Sequence, residues 1–266
     1  MLTVGNIYEA IDTFAPFASQ ESWDNSGLLV GSMCQPAQRI LTTLDISVEL
    51  ISEAVQREVQ LIVAHHPVIF SPLKTLPVSN PVYQMAAHGI AAICVHTPLD
   101  VAPEGLNMYA HTQLKDALLL EGNLAVLEPT WKDGRGFGWV DMSRREWMPE
   151  ELAKQLQTAF SCPAVRFSNG NKPIRKVAFS SGSSASLLEL AAAQGCDALI
   201  TGDIKHDRWY AAEFLGLSLF DCGHYGTERM AAQILHDTIC AVYPEAEVFC
   251  MPGADPAAVL AGGALQ

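Results

Sequence analysis

Two adjacent histidines follow an apolar run in the first third of the chain. Residues 61–64 are all apolar and typical of a buried strand, and His65, His66 and Pro67 come directly after them. Neighbouring side chains on a regular strand point to opposite faces, so both imidazoles reach one metal ion only where the strand ends. Pro67 predicts that end, because proline lacks an N–H and restricts the residue before it. The alternative interpretation is a polar strand end with solvent-facing histidines.

Metal-binding residue types also follow two other predicted strands. The strand over residues 90–95 leads into His96 and Asp100, and a strand ending at residue 221 leads towards His224 and Glu228. These last two residues are four apart at the start of a predicted helix, which places them on one helix face. Ligands of open α/β sheets bind at the carboxyl ends of the strands. The strand ends therefore predict a metal site.

The predicted ligand set takes five residues from these strand ends, namely His65, His66, Asp100, His224 and Glu228. Three imidazoles and two carboxylates are too few for two closed sites, but they suit two shared divalent ions with one bridging carboxylate and water at the open positions. Nitrogen and oxygen ligands without a thiolate fit zinc, iron, manganese, cobalt or nickel. Such a pair of ions activates water, which predicts a metal-dependent hydrolase acting on a small molecule. The alternative is a non-catalytic protein that handles metal, or a scaffold or regulator.

Four further residues are candidates for the site, but their sequence patterns are less specific. His96 and His206 are candidates for positioning or proton transfer beside the metals. Trp23 and Asp24 lie in a loop whose residue types suit a substrate pocket, although a surface turn with the tryptophan folded onto the core fits the same pattern. We interpret the histidines within helical segments as structural.

An internal repeat indicates how these groups are positioned. Residues 39–66 align without a gap on residues 176–203, and both segments show a strand-helix-strand pattern. In the second copy, His65 and His66 are replaced by Gly202 and Asp203. The repeat predicts two similar α/β halves related by a pseudo-twofold axis. The predicted halves are residues 1–125, completed by a segment of about 220–266, and residues 126–219.

Composition excludes several classes of protein. The 266 residues carry a formal net charge of −13. This disfavours nucleic acid as a partner, because no basic stripe is present to bind phosphates. The seven cysteines include no C-x-x-C pair and lie mostly in apolar runs, as reduced core residues do. With no signal-peptide pattern and no apolar stretch of spanning length, we expect a cytoplasmic protein without membrane contact.

The spaced motifs resemble those of the NIF3-like proteins, also called GTP cyclohydrolase 1 type 2 homologs. The resemblance covers most of the chain and is carried by residues 23–27, 64–67, 96–100, 134–138, 200–203 and 223–228. It implies two interlocked three-layer α/β/α domains, a toroidal homohexamer and a dinuclear metal centre held by the same five ligands, with Glu228 as the bridge. It also adds Asn107 to Trp23 and Asp24 as candidate substrate-binding residues. The GTP ring-opening activity in the family name is an expectation from resemblance alone.

Overall fold

The computed structural model describes residues 1–168 and 172–259. Its strands are β1 (Gly27–Val30), β2 (Arg39–Thr43), β3 (Leu61–Ala64), β4 (Ala91–Cys94), β5 (Ala125–Pro129), β6 (Gly136–Trp147), β7 (Arg166–Phe167), β8 (Ile174–Phe179), β9 (Ala198–Thr201), β10 (Ser218–Asp221) and β11 (Glu247–Cys250). Its helices are α1 (Val4–Phe14), α2 (Val48–Gln56), α3 (Pro81–Ala87), α4 (Thr97–Val101), α5 (Leu106–Ala117), α6 (Pro149–Phe160), α7 (Leu188–Ala193), α8 (His206–Leu215), α9 (His224–Glu228) and α10 (Ala231–Val242). None of the helices among these described residues has the length and apolar character needed to cross a membrane.

The first compact unit comprises Met1–Gly105 and Arg229–Gly253. Its sheet has the order β1-β4-β3-β2-β11, in which β1 is antiparallel to β4 and the other neighbours are parallel. Apolar residues of α2 and α3 pack against one face of this sheet, and α10 packs against β2 and β11 with α1 beside it. Helices therefore cover both faces, as a buried parallel sheet requires.

The second compact unit comprises Leu106–Glu228 and the described residues after Gly253. Its sheet has the order β5-β6-β8-β9-β10-β7, with β8, β9 and β10 parallel and the outer strands antiparallel. Residues of α7 and α8 join the apolar core on one face. On the other face Phe160 of α6 stacks on Phe179 of β8, which stacks in turn on Trp139 of β6. Each unit is thus a three-layer α/β/α structure, and the predicted fold class is confirmed.

The internal repeat is visible in the order of the strands. In the first unit β2, β3 and β4 are consecutive parallel neighbours, and in the second unit β8, β9 and β10 are the same. Each parallel set carries an antiparallel strand at its β4 or β10 edge, namely β1 or β7. The repeated sequence therefore builds the same arrangement of strands twice, including the strand ends that carry the candidate metal ligands.

The unit boundaries differ from the predicted halves at three places. Residues 106–125, 220–228 and 254–259 lie in the second unit, whereas the prediction placed these segments in the first. For the first two segments the reason is packing, because α5 contacts β6 and α6, and β10 pairs with β9 and β7. Residues 260–266 of the predicted closing segment lie outside the described residues. Among the single elements, β3 has its predicted bounds, β4 is one residue shorter at each end than the predicted strand over 90–95, and β10 ends at residue 221 as predicted.

Candidate metal centre

His65 and His66 leave β3 while still bonded to its neighbouring strand. The N–H of His65 donates to the carbonyl of Thr43 at 3.2 Å, and the N–H of His66 donates to Leu44 at 3.0 Å. The His65 ring is buried, and its Nδ1 lies 2.9 Å from the carbonyl oxygen of Val95. A carbonyl can only accept, so Nδ1 carries the proton and Nε2 of the neutral ring carries the lone pair. This is the tautomer that binds metal through Nε2.

The ring of His66 is oriented in the same way, but its Nδ1 faces a carboxylate instead of a carbonyl. Its Nδ1 lies 2.7 Å from Oδ1 of Asp45, the second residue after β2. Histidines that bind metal commonly donate their other ring N–H to a carboxylate or carbonyl, which fixes the ring and strengthens the ligand. Asp45 was not among the predicted site residues, and the structure assigns it this orienting contact.

His96 is held by a dense hydrogen-bond network around Asp24. Nδ1 of His96 lies 2.8 Å from Oδ1 of Asp24, whose other oxygen accepts from the N–H of Thr97 at 3.1 Å and from its hydroxyl at 2.6 Å. The hydroxyl of Ser26 and the N–H of Asn25 also donate to this carboxylate. The Asp24 side chain is fully buried. These contacts favour a positioning role for Asp24 over the predicted contact with substrate.

The same network sets the charges of the two groups. Burial raises the pKa of Asp24, but hydrogen bonds from His96 and Thr97 outweigh it and hold the pKa well below its usual range. Burial lowers the pKa of His96, yet the hydrogen bond to Asp24 and the charge of Asp100 outweigh it and raise the pKa above its ordinary value. An ionised Asp24 therefore fixes the His96 ring with Nδ1 protonated.

The first unit gathers a set of metal-capable atoms at the ends of β3 and β4. One ligand atom from each of His65, His66 and His96 lies within 4.8 Å of the others. A carboxylate oxygen of Asp100, buried in α4, lies within 4.8 Å of a ligand atom of His65. The predicted ligands of this unit are therefore close together, and His96 joins them. Imidazoles with a carboxylate suit a divalent transition metal.

In the second unit His224 and Glu228 lie on one face of α9, as the spacing predicted. Nε2 of His224 is 2.8 Å from Oε2 of Glu228, close to the separation of about 3 Å between two ligands of one ion. Nδ1 of His224 lies 2.8 Å from Oδ2 of Asp203, which repeats the contact between His66 and Asp45. The pair fits a metal ion with respect to atom type and spacing.

Two glycines make room for this pair. Gly182 has a left-handed φ of +61°, and a Cβ added there would lie 2.2 Å from Oε1 of Glu228. At Gly202 a Cβ would lie 2.7 Å from the carbonyl of Gly223 and 2.8 Å from the N of His224. Both contacts are too short for any larger residue without movement of α9 or its ligands.

Three other predicted residues have different surroundings. Trp23 is 56% exposed and lies edge-on to His96 with ring centroids 5.8 Å apart. Asn107 is buried, and its Oδ1 accepts from the N–H of Ser181 at 3.1 Å, so it supports the turn that contains Gly182. His206 is exposed at the start of α8 with its ring against Tyr210. The contacts of Asn107 therefore favour a supporting role, and those of His206 place it on the surface of its unit.

Two similar α/β units with metal-capable groups at their strand ends define the class of this protein. A family model described as Duf34/NIF3 (NGG1p interacting factor 3) matches residues 2–256. The chain therefore belongs to the DUF34/NIF3 family, and the resemblance seen in the motifs is confirmed.

Relatives with similar sequences and structures agree with this assignment. A Helicobacter pylori protein named GTP cyclohydrolase 1 type 2 is 32% identical over 247 residues, which cover 89% of this chain and 93% of that protein. A Streptococcus pneumoniae protein named GTP cyclohydrolase 1 type 2 homolog is 31% identical over 235 residues, covering 84% and 85%. A Bacillus cereus protein related to NIF3 has the same fold, with a TM-score of 0.89, 19% identity and coverage of 97% of this chain and 99% of that one.

Proposed function

We propose that this protein is a divalent-metal-dependent hydrolase. The observation that carries the proposal is that four histidine rings share one orientation. In His65, His66, His96 and His224, Nδ1 faces a carbonyl or carboxylate oxygen at 2.7 to 2.9 Å. In His65, His66 and His96 this contact leaves Nε2 of the neutral ring as the ligand atom, whereas Nε2 of His224 faces Glu228, the carboxylate proposed to bind metal with it. Four rings oriented in the same way favour metal binding over a polar strand end.

The proposal retains the five ligands expected from the sequence. His65, His66 and Asp100 lie in the first unit, and His224 and Glu228 lie in the second. Five ligands are too few to close the coordination of two ions, so we expect water at the open positions. Divalent ions bound there would acidify a water molecule and polarise the bond to be hydrolysed. A homohexamer remains the expected assembly, to be tested by light scattering.

The protein's own residues would prepare the site for this chemistry. Asp45 and Asp203 hold the rings of His66 and His224 with Nδ1 protonated. His96 lies beside the ligands with its ring fixed by Asp24, and its Nε2 is suited to exchange a proton or to contact substrate. The names of the relatives suggest hydrolytic opening of the GTP ring, which makes GTP the first substrate to test.

The test joins metal analysis to a hydrolysis screen. The protein is stripped by a chelator, reloaded with zinc, manganese, iron, cobalt or nickel, and assayed on GTP, other nucleotides, phosphoesters and cyclic amides. We expect turnover that chelation abolishes and reloading restores, and that is lost in His224→Ala but retained in the control His88→Ala, an exposed histidine at the end of α3. Bound metal without turnover of any substrate would overturn the hydrolase and favour the metal-handling alternative.

A further inference from the structure

Two large aromatic side chains are exposed beside the candidate metal ligands of the first unit. Trp23 is 56% exposed in a turn with the exposed Ser22, and Phe70, four residues after His66, is 52% exposed. Exposed aromatic rings that cluster next to a polar site commonly mark a binding surface. We refer to Trp23 and Phe70 as the aromatic pair.

The rings of the aromatic pair surround His96. The centroids of Trp23 and Phe70 are 6.1 Å apart with the planes tilted by 45°. Both rings lie edge-on to His96, at 5.8 Å for Trp23 and 6.2 Å for Phe70. None of these three pairs is stacked face to face, and about half of each side chain of the aromatic pair is exposed, so part of each ring is open to a ligand.

Hydrogen bonds hold the aromatic pair in position. Asn25, two residues after Trp23, donates its side-chain amide to the carbonyl of Ile69, next to Phe70, at 2.5 Å. This contact ties the two loops together. Asp24 fixes the other side of the loop to His96 and Thr97. The rings are therefore presented by a preorganised frame, which reduces the entropy lost when a ligand binds.

The polar groups of this frame are already engaged within the protein. Asp24 accepts five hydrogen bonds, and the Asn25 amide is bonded to Ile69. These groups do not offer a pattern that reads the edge of a ring. Flat aromatic faces instead recognise a planar ring by stacking, which tolerates different ring types.

His96 connects the aromatic pair to the ligands. Its ring centroid is 5.3 Å from that of His65 and 5.7 Å from that of His66. The same ring also contacts the rings of Trp23 and Phe70. A ring held by the aromatic pair would therefore be separated from the candidate metal ligands by about the width of one imidazole. This is the position expected for the body of a substrate whose reactive bond faces the metals.

We propose that Trp23 and Phe70 form a stacking site for a planar heteroaromatic ring of the substrate. This inference rests on the proposed function for its role in catalysis. It narrows the substrate class to molecules with a flat nitrogen heterocycle and makes stacking, rather than base-edge hydrogen bonding, the source of affinity in this unit.

The test measures ring binding in the full-length protein without and with zinc. Guanosine, cytidine and ribose 5-phosphate are titrated by ligand-observed NMR. We expect guanosine to bind most tightly, cytidine more weakly, and ribose 5-phosphate not at all to the metal-free protein. Trp23→Leu and Phe70→Leu should each weaken guanosine binding by about fivefold or more, while Trp23→Phe should retain most of it. The matched control is Phe214→Leu, which removes a 91% exposed phenylalanine from α8 and should have no effect.

The outcomes separate this inference from the proposed function. Metal content is measured in the same samples, and we expect it to be unchanged in both leucine variants. Guanosine binding that is equal in wild type, Trp23→Leu and Phe70→Leu would overturn the inference, even if the metal site is confirmed. A change of oligomer size in these variants without any ring binding would also overturn it, because the pair would then be a subunit contact. Ring binding by a protein that takes up no metal even after incubation with zinc would overturn the proposed function while leaving the stacking site in place.

Discussion

The two units share an arrangement of strands but differ in the residues that follow those strands. In the first unit β3 leads into His65 and His66, and both rings join the candidate metal ligands. In the second unit β9 leads into Gly202 and Asp203, and the imidazole comes instead from His224 at the start of α9. The fold thus supplies equivalent strand ends, and each unit uses them for different chemistry.

A steric constraint explains part of this difference. A Cβ at Gly202 would lie within 2.8 Å of Gly223 and His224, so the second unit has no space for a side chain where the first has His65. The two units nevertheless share one type of contact between a carboxylate and an imidazole. A carboxylate after one strand orients an imidazole after the adjacent strand, as Asp45 does for His66 and Asp203 does for His224. The type of contact recurs but its position in the repeat does not, because Asp203 stands at the position of His66 and Gly182 stands at the position of Asp45.

The largest expected effect is a clash confined to the second unit. Gly202→Ala places a methyl group against the backbone before α9, and we expect it to lower the free energy of unfolding by about 3 kcal/mol through overpacking. Urea unfolding of the metal-free protein measures this. Gly226→Ala is the control, because its Cβ meets only Cys162 at an ordinary 3.4 Å. Equal stability of the two variants would contradict the steric explanation.

A network confined to the first unit should give the next largest effect. Asp24→Asn replaces a buried acceptor of five hydrogen bonds by an amide, and whichever oxygen becomes NH2 then faces a backbone N–H, that of Asn25 or that of Thr97. We expect a loss of about 2 kcal/mol in the free energy of unfolding. An exposed carboxylate such as Glu150 provides the control, and Glu150→Gln should change stability by less than about 0.5 kcal/mol. A variant as stable as wild type would show that the network is not needed.

The repeated orienting carboxylates should have smaller, matched effects. Asp45 and Asp203 are 60% and 57% exposed in their side chains, so their removal leaves no buried group unsatisfied. We expect Asp45→Asn and Asp203→Asn each to weaken metal binding by about tenfold with little change in stability. Competition with a fluorescent zinc chelator measures the affinity. An effect in only one unit would mean that the two contacts are not equivalent.

The smallest effect is expected at His206. Its ring is exposed against Tyr210 on α8, and surface substitutions of this kind change stability by less than about 0.5 kcal/mol. His206→Ala should retain the metal content of wild type, as determined by elemental analysis. A variant that loses metal would show that His206 has a closer relation to the ligands than its contacts in the second unit indicate.

The sequence predicts the ligands better than the groups that orient them. The positions of His65, His66 and His96 follow from apolar runs that end at Pro67 or just before Pro98, and those of His224 and Glu228 follow from helical spacing. Asp45 and Asp203 have no comparable signal, because their contact with an imidazole depends on how two loops after adjacent strands approach each other. Their position directly after predicted strands was the one available clue.

The same reasoning explains the differences in the unit boundaries and in the role of Asp24. The repeat identifies corresponding strands, but it does not show that α5 packs on β6 or that β10 pairs with β7. An acid beside a tryptophan in a loop is as compatible with a pocket wall as with a buried acceptor. Only the contacts with His96 and Thr97 distinguish these two possibilities.

The most direct test is elemental analysis of the purified protein and of one ligand variant from each unit, His66→Ala and His224→Ala. We expect close to two divalent ions per chain in wild type and a reduced metal content in both variants, each with a folded circular dichroism spectrum. Wild-type metal content in both variants, or a wild-type protein that binds none of the five candidate metals after reloading, would contradict it.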